Sequence, residues 1–166
     1  MKIIFSSEKD KEKILKSIFK ILENNKLLTL STVNKNQSWC NTAYYVFDKK
    51  FNLYIWTGEK TIHSKNIKEN NKVSINIFNS EQKWGSFLQG IQAKGNAFKV
   101  NNKELIKSGL MYIKRYPKVI KFVKNPVDFH SKLFESRMYK IGLNKIKVFD
   151  EKIFGKDEIR EIIIKK

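Results

Sequence analysis

The chain is predicted to be mainly β, an antiparallel barrel with an N-terminal helix and short helices between the strands. Three observations point there. Apolar residues recur at helical spacing near the start and again after residue 100, but from Leu27 the period changes to two. The alternating segments are short and are separated by clusters rich in Asn, Asp, Gly and Lys. The 166 residues fit one domain, 1–166, large enough to bury a core without staples.

The elements follow in order. Ile14, Leu15, Ile18, Phe19 and Leu22 make one helical face, with Ser7 and Asp10 placed as an imperfect capping box and Asn24 and Asn25 at its end. Strands are expected at Leu27 to Val33, Ser38 to Phe47 and Phe51 to Trp56, joined by turns at residues 34–37 and 48–50. A break follows: Thr57-Gly58-Glu59-Lys60-Thr61 and a short helix from Ile62 to Glu69. Strands at Val73 to Phe78 and Gln89 to Val100 come next. Asn101-Asn102 opens a helix with Leu105, Ile106, Leu110 and Ile113 on one apolar face; Pro117 interrupts it before a helical piece from Val119 to Lys124. A strand pair, Leu133 to Gly142 and Lys145 to Asp150, turning at Gly142-Leu143-Asn144, completes the sheet. Closing such a sheet removes its exposed edges, and a small barrel fills its own interior, so a ligand site must lie in an outer groove.

Composition excludes several classes. One cysteine, Cys40, cannot form an internal disulfide, and no apolar run is long enough for a membrane span or a secretory signal, so a soluble cytoplasmic protein is expected. The formal charge of +18 suggests a polyanionic partner. Yet all but Arg115, Arg137 and Arg160 of the positive charge is lysine spread along the chain, with no basic block interleaved with aromatics, so nucleic acid is not the expected partner.

The signatures of nucleotide-binding loops, serine hydrolases and zinc sites are absent, and His63 and His130 lie far apart in sequence. What remains is 56–66, WTGEKTIHSKN, where a strand ends in a glycine turn and a helix begins. Helix-start N–H groups, the hydroxyls of Thr57, Thr61 and Ser64, and the basic groups of Lys60, His63 and Lys65 suit a phosphate. The plain alternative is a capped helix with solvated lysines. Trp39, Tyr44 and Tyr45 could stack on a ligand or simply pack, and Trp84 beside Gly85 could cover a site or seal a contact between subunits.

The succession LLTLSTV (27–33), WCNTAYYVFD (39–48), LYIWT (53–57), KTIHSKN (60–66) and GIQAKG (90–95), with Arg-Tyr-Pro at 115–117 and IKVFD at 146–150, resembles the pyridoxamine 5′-phosphate oxidase-like FMN-binding split-barrel family, within it a small bacterial branch. The resemblance runs through nearly the whole chain. It implies an antiparallel split β-barrel, a homodimer with FMN at the subunit interface, and a flavin-dependent oxidoreductase acting on a small molecule. By position it implies that Thr29, Ser31 and Thr32 line the isoalloxazine and that Trp56 and Thr57 touch the ribityl phosphate region. Thr61 and His63 would bind the phosphate beside Lys60 and Lys65, and Gln89 would reach the ring from the partner subunit. Two departures stand out. Ile62 and His63 replace the oxidase's Arg-Lys pair, and its C-terminal Trp and Arg substrate clamp is missing, with Arg137 the nearest candidate. Oxidation of pyridoxamine phosphate is therefore not expected. Rival readings are a split barrel holding a deazaflavin or haem, a non-catalytic flavin binder or sensor, and a basic nucleic-acid binder.

Overall fold

A computed structural model describes residues 1–130 and 135–165. Its eight strands form one antiparallel sheet, β1 (Lys2–Phe5), β2 (Leu27–Asn34), β3 (Gln37–Phe47), β4 (Asn52–Gly58), β5 (Lys72–Phe78), β6 (Gln89–Lys99), β7 (Ser136–Asp150) and β8 (Ile159–Lys165). The order is β1-β8-β7-β4-β3-β2-β5-β6, and a β7–β6 ladder closes the six inner strands into a barrel. Among the described residues four α-helices accompany them: α1 (Lys11–Asn24), α2 (Ile62–Glu69), α3 (Asn102–Arg115) and α4 (Glu151–Phe154).

The barrel interior is the main core. Leu28, Leu30, Leu53, Ile55, Ile75, Ile91, Ile141 and Ile146 alternate inward from five strands, and Ile14, Ile18, Ile21 and Leu22 of α1 join them. A second core forms outside the wall, where Leu105 and Tyr112 of α3, with Val123 and Phe129 beyond it, cover Val46, Tyr54 and Met138.

The β2–β3 hairpin turns where expected, with Lys35 and Asn36 at φ 46° and 63°, the left-handed pair that a tight hairpin turn requires. Helix α2 has the expected bounds, because Thr61 Oγ1 caps it by accepting from the Ser64 N–H. The Ser7–Asp10 box does not form; Ser7 Oγ donates to Asp10 Oδ2 instead. Phe51 precedes β4 rather than starting it, at φ 57°.

Further expectations are corrected. The closing strands are one 15-residue strand, β7, not a hairpin (the expected start, Leu133, lies outside the described residues). Gly142-Leu143-Asn144 is a bulge in that strand: the register against β6 shifts between Lys94 and Gly95, which leaves Asn144 as the extra residue. A side chain at Gly95 would stand 2.3 Å from the Gly142 carbonyl oxygen, so only glycine permits the two backbones to meet there. The terminal strands β1 and β8 were not anticipated, although their Ile-rich runs carry the signal; Ile162 and Ile164 enter the main core. Finally, α3 buries Leu105, Ser108, Gly109 and Tyr112 and leaves Ile106 and Leu110 exposed. The small residues win that face because Pro126 and Phe129 pack directly over Gly109. The piece after Pro117 is a 3₁₀ turn, Pro117–Lys121.

Candidate functional site

The barrel is split between β3 and β4. Strand β3 pairs with β2 over its whole first part, from Asn34↔Gln37 to Leu27↔Tyr44, and β4 pairs with β7 from Asn52↔Gly142 to Gly58↔Ser136. Between themselves β3 and β4 share only Tyr45↔Ile55, Val46↔Tyr54 and Phe47↔Leu53. Beyond these pairs the strands diverge, and a slot of about 750 Å³ opens between Asn41–Tyr44 on one side and Trp56 and Thr57 on the other. His63 of α2 lines it, and Tyr112, Tyr116, Lys118, Val119 and Phe122 form its outer wall.

The polar end is built around His63. Its Nε2 lies 2.7 Å from Thr57 Oγ1 and 3.0 Å from Thr61 Oγ1. Thr61 Oγ1 sits 2.8 Å from the Gly58 carbonyl oxygen and 2.9 Å from Ser64 Oγ, and Ser64 Oγ donates to the same carbonyl. The strand-to-helix turn thus holds three hydroxyls and an imidazole together. Burial lowers the His63 pKa, so the ring enters the site neutral. Trp56 Nε1 donates to the Phe129 carbonyl and its ring meets Phe129 edge-on, which fixes that wall.

The ten sequence-selected residues part company in space. Trp56, Thr57 and His63 line the slot, with Thr61 directly behind His63. Ser31 lines a groove on the open barrel face with Ser74, Gln92, Lys94 and Lys147, and Thr29, paired to Asn76 and Thr42, points to that same face. Thr32 turns inward, where its Oγ1 accepts from Asn66 Nδ2. Lys60 and Lys65 border a separate groove with Lys68 and Lys99, and Lys60 pairs with Glu135. Gln89 is committed within its own chain: its Nε2 donates to the buried Asp150 carboxylate, which also accepts from Ser17 Oγ.

Other candidates resolve similarly. Cys40 is exposed, its sulfur 3.3 Å from Ser31 Oγ. Arg137 pairs with Glu59. Trp84 is fully exposed and does not line the slot. Among the described residues no cluster of His, Cys, Asp and Glu could hold a metal ion, and no helix is long and apolar enough to cross a membrane.

Sequence reasoning missed Asn41, Tyr112, Lys118 and Phe122. The Arg-Tyr-Pro at 115–117 was the one signal for that wall. Asn41 matters chemically, because its side-chain carbonyl oxygen is buried without a hydrogen-bond partner while the residue lines the slot. A buried acceptor of this kind is met by an ordered water or by an N–H donor that a ligand brings. An apolar, aromatic-walled slot with that acceptor and a hydroxyl–imidazole cluster fits a flavin, which carries a ring N–H and a phosphate.

Comparison with known proteins agrees with this architecture. The UPF0306 protein YhbP of Escherichia fergusonii is 29% identical over 147 residues, covering 87% of this chain and 91% of the relative. A FAD-binding protein from Mesorhizobium loti superposes with a TM-score of 0.57 at 14% identity, over 98% of both chains. The haem storage protein HutZ from Vibrio cholerae does so with a TM-score of 0.63 at 17% identity, over 76% of this chain and 87% of that one. The family model described as pyridoxamine 5′-phosphate oxidase matches residues 14–144. With the split barrel in place and most of the chain matched, this protein belongs to the pyridoxamine 5′-phosphate oxidase family.

Proposed function

We propose that the chain binds flavin mononucleotide in the β3–β4 slot and, as a cytoplasmic homodimer, serves a flavin-dependent oxidoreduction of a small molecule. The observation that carries this reading is the unpartnered Asn41 carbonyl oxygen in the wall of an aromatic slot that also holds the Thr57–His63–Thr61 cluster. Asn41 accepts from the ring N–H, Tyr44, Trp56 and Tyr116 exclude water around the ring, and Thr57, Thr61 and His63 hold the phosphate. The bound flavin supplies the hydride and electron transfer. Leu27, Tyr44, Phe78, Trp84 and Phe87 are exposed in the single chain and would lose water wherever a second copy covers them.

The haem-binding relatives make haem the rival ligand. His63 is the one histidine lining the slot, and its Nε2 is engaged by two threonines, which favours flavin.

The test is the absorbance spectrum of gently purified protein, followed by titration with FMN. Flavin bands or saturable binding are expected, with His63→Ala and Asn41→Ala each weakening affinity about tenfold, near 1.4 kcal/mol. A Soret band would assign haem. Protein that is colourless and indifferent to FMN, but binds a deazaflavin, would keep the slot and change its ligand. Light scattering that shows a monomer would remove the dimer from the proposal.

A further inference from the structure

We propose that Tyr112, on helix α3, is the positioning residue that sets the width of the slot: its hydroxyl stands in for the backbone ladder that β3 and β4 lack. The Trp56 N–H on β4 donates to Tyr112 Oη at 3.1 Å, and Tyr112 Oη donates to the Tyr44 carbonyl on β3. These groups lie just beyond Tyr45↔Ile55, the last direct pair, where the next rung of the ladder is missing. One phenol therefore bridges the two strands in donor-to-acceptor sequence, as a backbone pair would, but with an oxygen atom inserted. Replacing one N–H···O contact by two in series separates the strands by about 3 Å more than direct pairing.

The rest of α3 holds this wedge in place. Tyr116, one turn further on, donates to the Tyr45 carbonyl at 2.6 Å, so the helix grips β3 at consecutive residues. Arg115 reaches the carbonyls of Leu22, Glu23 and Asn25 at the end of α1, which ties α3 to the barrel core. The Tyr112 ring is buried between Tyr116 and Phe129, with centroids at 5.4 and 5.5 Å, so its hydroxyl has little freedom to leave the gap. Burial also raises the phenol pKa, which keeps the proton that the Tyr44 carbonyl accepts. The α3 insertion is thus part of the site: Tyr112 spaces the two slot walls, while Tyr116 and the chain after it form the outer one.

The ligand side of this inference rests on the flavin reading; the strand spacing does not. Tyr112→Phe keeps the ring and removes only the hydroxyl. By NMR of the ligand-free protein, the Trp56 amide resonance and the cross-strand contacts between Tyr44 and Trp56 are expected to change. FMN affinity is expected to fall about tenfold or more. Tyr54→Phe is the control: this phenol is also buried beneath the α3 side of the wall, but it does not line the slot, and both readouts should stay at wild-type values. A Tyr112→Phe protein with unchanged Trp56 amide and cross-strand contacts overturns the proposal. So does one in which those signals move while FMN affinity holds, or in which Tyr54→Phe has the same effect. If wild-type protein ignores FMN, the flavin reading falls, and the NMR comparison alone decides whether Tyr112 spaces the strands.

Discussion

Two side chains illustrate the pH dependence that the structure implies. Burial drives His63 toward its neutral form, below its ordinary value of 6.5, while a bound phosphate favours the imidazolium. FMN binding should therefore take up a proton at His63, and as pH falls from about 8 to about 7, above the phosphate's own second ionisation at about 6, affinity should rise in the wild type and not in His63→Ala. In the ligand-free protein the sign reverses: the neutral form belongs to the folded state, so stability is lost as pH drops below the unfolded value. Asp48 behaves as a structural anchor. Burial alone would raise its pKa, but hydrogen bonds from Lys107, the Asn52 side chain and the backbone N–H groups of Asn52 and Lys50 prevail and lower it to about 2. Its stabilisation is full above the ordinary value of 3.8 and disappears as pH falls toward 2. Denaturant melts of Asp48→Ala should show a loss of about 1–3 kcal/mol at neutral pH that fades across that acid window.

At the scale of elements, α3 and α1 are coupled through one guanidinium. Arg115 donates to three carbonyls around the end of α1 and lies over the rings of Tyr45 and Phe47, at 5.0 and 5.2 Å. Helix C-termini present unpaired carbonyls, and a cation there satisfies them while opposing the dipole. Arg115→Ala should cost about 2–3 kcal/mol in thermal or denaturant unfolding, and Arg115→Lys should recover only part, since an ammonium lacks the planar group that lies over Tyr45 and Phe47. A wild-type melting curve for Arg115→Ala would mean that the two helices are held by packing alone. The second apolar core depends on a small residue instead: a Cβ at Gly109 would stand 2.9 Å from Pro126, so Gly109→Val should loosen the cover over Tyr54 and Met138.

For the molecule as a whole, closure is the cooperative step. Strand β7 serves three partners: β4 along its first half, β8 along its second and β6 along nearly all of it. The bulge in β7 opposite Gly95 supplies the bend that this requires. Gly95→Ala should destabilise by about 1–3 kcal/mol or more, because the clash is with backbone and no side chain can move aside. Equilibrium unfolding would read the loss, and an unchanged midpoint would show that the ladder can slide to accommodate a methyl group.

Much of this fold was legible locally. Asn36 marks a left-handed turn, Thr61 caps α2 three residues ahead of Ser64, and the alternation from Leu27 onward places Leu28 and Leu30 inside, because such features depend on residues a few positions apart. Gly142-Leu143-Asn144 reads locally as a turn; only Gly95, 47 positions earlier, makes it a bulge. The site divides in the same way. Sequence alone put Thr57, Thr61 and His63 together, since one strand-to-helix turn contains them. Tertiary structure decided the rest. It moved Thr29 and Ser31 to the open face, committed Gln89 to Asp150, and brought Asn41 and Tyr112 to the same slot across 71 residues of chain. Pairing and splaying of strands are properties of partners distant in sequence, and the gap they leave belongs to no single segment.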